Sequence, residues 1–182
     1  MVRLFQYEGY KVSIAPEALM LQPFKKIWSR DKSKEKHKAM QELGYVYFME
    51  DPRSDYQYLV DREMRSQEII KGEGFPDNWH PDAEIMRAME FYASFKPISA
   101  ALLEDTRFAI DKLRETLRTI NLNERDDKGK PVYTLNTVTQ TIKQIPALVK
   151  ELDEAEKCLY RDIIAENKAR GSQTKSLYED EV

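Results

Sequence analysis

Apolar positions recur at helical spacing over most of the chain, and short alternating runs occur only near its start. Phe5 and Tyr7 alternate around Gln6, and Tyr10, Val12 and Ile14 around Lys11 and Ser13, with the phase flipping at Glu8-Gly9. This predicts a short extended arm or hairpin with a bulge or tight turn at the flip. Pro16 suits the first position of a short helix through Ala18, Leu19 and Leu21, because its missing N–H has no intrahelical partner there. Pro23 interrupts that helix, and a second short one carries Phe24, Ile27 and Trp28. Ser33 caps a third, from about Lys34 to Met49, whose Ala39, Met40, Leu43, Val46 and Tyr47 draw one buried stripe. Asp51 precedes Pro52 and so leaves the helical region, which stops the helix.

Asp61 caps a following helix with Met64, Ile69 and Ile70, ended by Gly72 and Gly74. Residues 74–81 read as a loop plugged by Phe75 and Trp79. Pro81 opens a helix through Ile85, Met86, Met89, Tyr92 and Phe95, closed before Pro97. From Ile98 to about Leu122, the positions Leu102, Ala109, Leu113, Leu117 and Ile120 keep helical spacing. A polar stretch, Asn123 to Val132, carries the turn signal Lys128-Gly129-Lys130-Pro131. The last helix starts near Asn136, with Val138, Ile142 and Ile145 on one face. Pro146 is expected to kink or break it before Val149, Leu152, Leu159 and Ile163 restore the stripe up to Gly171.

The pattern therefore predicts a mainly α fold: a helical bundle with a long antiparallel helical hairpin, a short N-terminal extended arm or hairpin, and a flexible acidic C-terminal tail. It draws one domain over residues 1–171, with the arm over 1–14 and the tail over 172–182. The segment to Ile14 and the tail from Ser172 have few apolar residues to offset the entropy of ordering. Both are expected to order on a partner, the tail through Leu177 and Tyr178 within a rim of Glu179, Asp180 and Glu181.

Composition narrows the function more than the fold. Across 182 residues, 41% are apolar and 34% charged, with a formal net charge of -3. That balance argues against a general nucleic-acid binder, which carries a basic excess. Cys158 is the single cysteine, so no internal disulfide forms; a reducing compartment and a packed, apolar role are expected for it. The N-terminus has no apolar core of signal-peptide length. The longest apolar run, Tyr45 to Met49, is far below the roughly 20 residues of a membrane span. The expectation is synthesis in the cytoplasm and no membrane contact.

Reaction chemistry finds no foothold. His37 and His80 are far apart and form no ligand-spaced pair with Cys158, whereas a structural zinc needs about four such ligands. No serine sits in a Gly-x-Ser-x-Gly setting, and Gly72-x-Gly74 lacks the third glycine of a phosphate loop. Glu50, Asp51, Asp55, Asp61 and Glu63 lack the rhythm of a calcium loop and read as a solvated acidic rim paired with Arg53 and Arg62. No catalytic residue, metal or cofactor is expected.

The sharper feature is basic. Lys25, Lys26, Arg30, Lys32, Lys34, Lys36 and Lys38 meet only Asp31 and Glu35. Such a run can touch phosphates, face an acidic protein patch, or simply be a solvated helix start. Aromatics follow directly, among them Tyr45, Tyr47, Phe48, Tyr56 and Tyr58, and tyrosine is enriched in contact surfaces.

The segment Phe24 to Val60 resembles a pattern among virion proteins of tailed bacteriophages, especially the crAss-like group. The matching features are Phe24 to Lys26, the charged run Arg30 to Ser33, the aromatic helix Leu43 to Met49, and the Asp51-Pro52 turn. The resemblance implies a non-enzymatic structural subunit of the virion, of the head-to-tail connector or neck-ring kind. Its partners would be other copies of itself in a ring and neighbouring portal or tail proteins, with incidental DNA contact. From the residues alone, a small helical nucleic-acid-binding or regulatory protein using residues 25–38 is the alternative.

Overall fold

The computed structural model describes residues 4–8, 11–76 and 78–169. Helices hold 64% of the described residues, and the sheet has two strands. The predicted mainly helical fold is the one observed. Contacts sort the chain into two compact units, Met1–Lys96 and Pro97–Val182, where the apolar pattern draws one domain.

In the first unit, β1 (Phe5–Glu8) pairs antiparallel with β2 (Lys11–Ile14), Phe5 opposite Ile14 and Glu8 opposite Lys11. The bulge or tight turn expected after Glu8 falls on residues 9 and 10, outside the described residues. This segment is no free arm, however. Leu4 and Phe5 are buried, and the Phe5 ring lies edge-on to Phe24 at 5.3 Å and to Tyr92 at 5.1 Å. Burying one such ring is worth about 1.5–3 kcal/mol, so a few large side chains outweigh the low apolar count.

A 3-10 turn, Ala18–Met20, leads into α1 (Gln22–Arg30), where Pro23 occupies the first turn that tolerates it and does not interrupt. Helix α2 (His37–Glu50) starts three residues later than predicted, because Lys36 adopts the left-handed conformation at φ 56°. It is the central element: every residue from Glu42 to Glu50 is buried. Tyr47 is buried, as its place in the predicted stripe requires, and Tyr45 and Phe48 are core rings as well. Helix α3 (Arg62–Gly72) is capped by the Asp61 carboxylate, which accepts from the Glu63 and Met64 amides. Helix α4 (Ala83–Ala93) is capped in the same way by Asp82 and starts two residues after Pro81, the proline expected to open it.

Polar ties close this unit. Glu50 and Asp51 are buried, which overturns the solvated rim for these two, while Asp55, Asp61 and Glu63 are exposed as expected; Arg53 and Arg62 are the partners of the buried pair. Asp51 accepts from Arg53 Nε at 2.8 Å, Arg53 Nη2 at 2.7 Å and the Tyr92 hydroxyl at 2.5 Å. Burial, with the Asp51 charge beside it, pushes the Tyr92 hydroxyl pKa well up. Glu50 pairs with Arg62 and with Lys96 at 2.8 Å. Buried Arg65 donates to the Leu59 and Met49 carbonyls, tying the end of α2 to the start of α3.

The second unit is the predicted hairpin of α5 (Ile98–Thr119) and α6 (Leu135–Ala169). Asp126 caps the connecting turn by accepting from the Lys128 and Lys130 amides, with Gly129 at φ 73°. Helix α6 continues through Pro146, so the expected break does not occur. Pro146 is exposed, so the backbone carbonyl freed by its missing N–H can be met by water. The predicted helix end at Gly171 lies outside the described residues.

Candidate functional site

Three surfaces carry residues singled out by the sequence. The first is the basic run. Phe24 and Ile27 turn inward on α1, which leaves Lys25 and Lys26 exposed on its outer side. Lys32, Lys34 and Lys38 are exposed as well; Lys32 Nζ donates to the Ser29 carbonyl at 2.9 Å, and Lys38 stands 4.0 Å from Glu42.

Arg30 and Lys36 belong to the fold. Arg30 pairs with buried Glu42 at 2.7 Å and with Asp82 and Glu84 at the start of α4. Partial burial pulls its pKa down, but the bonds to Glu42 and Asp82 outweigh that and leave it raised. Lys36 Nζ donates to the Trp28 and Asp31 carbonyls and lies 5.9 Å from the Trp28 ring centre. Asp31 then organises the loop: its carboxylate accepts from the Ser33 amide at 2.8 Å and the Ala39 amide at 3.0 Å. Hydrogen bonds from Ser33 and Ala39 hold its pKa down at about 2. The run thus divides into five exposed lysines and two half-buried ties, a division that charge counting could not show.

The second surface is the tyrosine pair. Tyr56 is half-buried, its hydroxyl donating to Glu73 at 2.9 Å and its ring edge-on to Phe48 at 5.2 Å. Gly72 lets it lie there, because a Cβ at that position would come within 2.5 Å of the hydroxyl. Tyr58 is free to meet a partner, at 70% exposure. Leu177 and Tyr178 lie outside the described residues.

The third surface was not separated from the core by sequence reasoning. Val138, Thr141, Ile145, Leu148, Leu152, Ala155 and Leu159 repeat at steps of three and four along α6 and are half or fully buried. Leu103, Ile110 and Leu117 answer them on α5 at steps of seven, and Arg107 pairs with Glu156 at 2.7 Å beside the seam. Ile142 and Val149, expected in that stripe, belong instead to a second one. Leu135, Thr139, Ile142, Pro146 and Val149 also repeat at steps of four and three, and all are exposed. Their three large side chains are 70%, 52% and 51% exposed. Leu102 and Phe108 on α5 are exposed too. The signal was present in the spacing: α6 carries apolar residues over a wider arc than one partner helix can cover.

Cys158 is exposed, not packed, with an Arg161 nitrogen 3.2 Å from its sulfur. His37 pairs with Glu35 at 2.6 Å in solvent, and His80 is exposed. Among the described residues, no group of three or more His, Cys, Asp or Glu side chains is placed to hold a metal ion, and no helix is long and apolar enough to cross a membrane. What these surfaces offer is contact, through charge on the first unit and apolar area on the second. No family model, curated protein or solved structure matches the chain.

Proposed function

We propose that the chain is a non-enzymatic assembly subunit of a tailed-bacteriophage particle, a head-to-tail connector or neck-ring component made in the host cytoplasm and carried in the virion. It would act by contact with copies of itself and with neighbouring portal or tail proteins. The observation that carries the assembly reading is the second apolar stripe of α6, left in solvent beside a seam that α5 already fills. A helix that is apolar at two adjacent positions of its repeat is built for more than one neighbour. The phage assignment rests on the likeness of Phe24 to Val60 to virion proteins.

The test is the native mass of the purified chain, alone and mixed with portal protein. A discrete oligomer, or a complex with portal, is expected; a chain that stays monomeric and ignores portal overturns the reading. The basic run is tested by reversing Lys25, Lys26, Lys32, Lys34 and Lys38 to glutamate, leaving Arg30 and Lys36 in place because they hold the fold. If this variant assembles normally but loses DNA retention in a shift assay, the nucleic-acid alternative replaces the present reading.

A further inference from the structure

The geometry points to one occupant for the exposed stripe Leu135, Ile142 and Val149: the acidic C-terminal segment, residues 172–182, of a second copy of this chain. This deepens the assembly reading and rests on it.

Charge complementarity selects the occupant. From residue 128 to residue 150 the chain has four lysines, Lys128, Lys130, Lys143 and Lys150, and neither Asp nor Glu. Lys143 and Lys150 are exposed and directly follow Ile142 and Val149; the ion pair of Lys150 with Glu154 is long, at 3.8 Å, and solvated. One heptad from the Arg107–Glu156 pair, the antiparallel register sets Arg114 opposite Val149, where its own pair with Asp111 is 3.6 Å and exposed. The stripe is therefore apolar with a cationic border. The segment 172–182 has the opposite character: Leu177 and Tyr178 are followed by Glu179, Asp180 and Glu181, with Lys175 its only cation.

Chain reach selects the copy. About 40 Å of helix axis separates Ile142 from Ala169, at about 1.5 Å per residue. Fully extended, the nine residues from Ala169 to Tyr178 span at most about 32 Å. Tyr178 cannot reach the middle of its own stripe. The nearer half of its own α6 is also the wrong sign, since from residue 151 to residue 169 six Asp and Glu outnumber the three cations Lys157, Arg161 and Lys168. A neighbour's stripe satisfies both constraints. The contact joins different patches on identical chains, so it closes into a ring or runs on as a filament according to its rotation.

The experiment uses the full-length chain and sedimentation velocity at low and high salt. Ile142→Asp, the pair Lys143→Glu with Lys150→Glu, and the triple Glu179→Lys, Asp180→Lys and Glu181→Lys should each raise the dissociation constant about tenfold or more. Helical circular dichroism should be unchanged in the Ile142 and Lys143 with Lys150 variants, because these positions are exposed. Combining the lysine pair with the tail triple should restore association, and the effect should fade at high salt. Mixing the Ile142→Asp chain with the tail triple should give a one-to-one complex that neither forms alone, which a contact within one chain could not produce. Association unchanged in the single variants, or no complex on mixing, overturns tail docking and leaves the assembly reading standing. A wild-type chain that is monomeric alone and ignores portal overturns both.

Discussion

Asp51 shows how much one side chain can decide. Its carboxylate is fully buried and is held by Arg53 and by the Tyr92 hydroxyl, a partner 41 residues away. Tyr92→Phe removes one bond to a charged group and should cost about 1.5–3 kcal/mol. Arg53→Met leaves the carboxylate without its cation and should cost more, about 3–5 kcal/mol. Urea midpoints with an unchanged slope would check both, and equal losses would show that Arg53 is not what compensates the charge. Asp31 adds a pH dependence. Its folded pKa is depressed to about 2, so its contribution is present above the ordinary carboxylate range and is lost as pH falls from about 4 through about 2. The melting temperature of Asp31→Asn should therefore lie below wild type near neutrality and converge on it in acid. A gap that persists at pH 2 would mean that charge is not what the Ser33 and Ala39 amides hold. Sequence marked Asp51 as a helix stop, because proline acts on its immediate neighbour. It could not reveal the burial, which depends on where Tyr92 arrives.

At the scale of elements, periodicity located all of the long helices but not their rotation. Ile142 and Ile145 are equally apolar and equally in phase, and only the register against α5 decides which is sealed. Truncation separates the classes. Leu103→Ala and Leu159→Ala, both buried, should cost about 2–5 kcal/mol. Leu113→Ala and Leu152→Ala, half-buried, should cost less, and Ile142→Ala close to nothing in the dissociated chain. Thermal melts of the five variants at low concentration give this ranking, and a large loss at Ile142 would put that side chain back in the core. The same reasoning explains the N-terminal hairpin: alternation showed the strands, while the docking of Phe5 between Phe24 and Tyr92 needed residues from three distant elements.

For the whole molecule, the two units are unequal. Among the described residues, the first has a core of seventeen buried apolar residues, and the second a cluster of four, Ala100, Leu103, Ala155 and Leu159. Burial sets the hydrophobic contribution, so the hairpin should open first. Both tryptophans, Trp28 and Trp79, lie in the first unit, whereas helical dichroism reports on both units. Denaturation followed by the two signals should therefore give two midpoints, with fluorescence the later. Coincident curves would show that the units unfold as one. If assembly covers the stripe of α6, the dichroism midpoint should rise with protein concentration while the fluorescence midpoint stays fixed.

The exposed thiol of Cys158 gives this chain a built-in molecular ruler. It is the only sulfhydryl, so a maleimide spin label attaches at one known place. Sixteen residues from Ile142, it points about 160° around the helix from the stripe, at about 100° per residue, so the label leaves that face unobstructed. Dipolar spectroscopy on the labelled assembly would then yield, for a ring, the set of distances that its rotational symmetry fixes, and the modulation depth counts the copies. Without reductant the same thiol would join chains by an adventitious disulfide, and those dimers would have the mass of an assembly intermediate without its geometry.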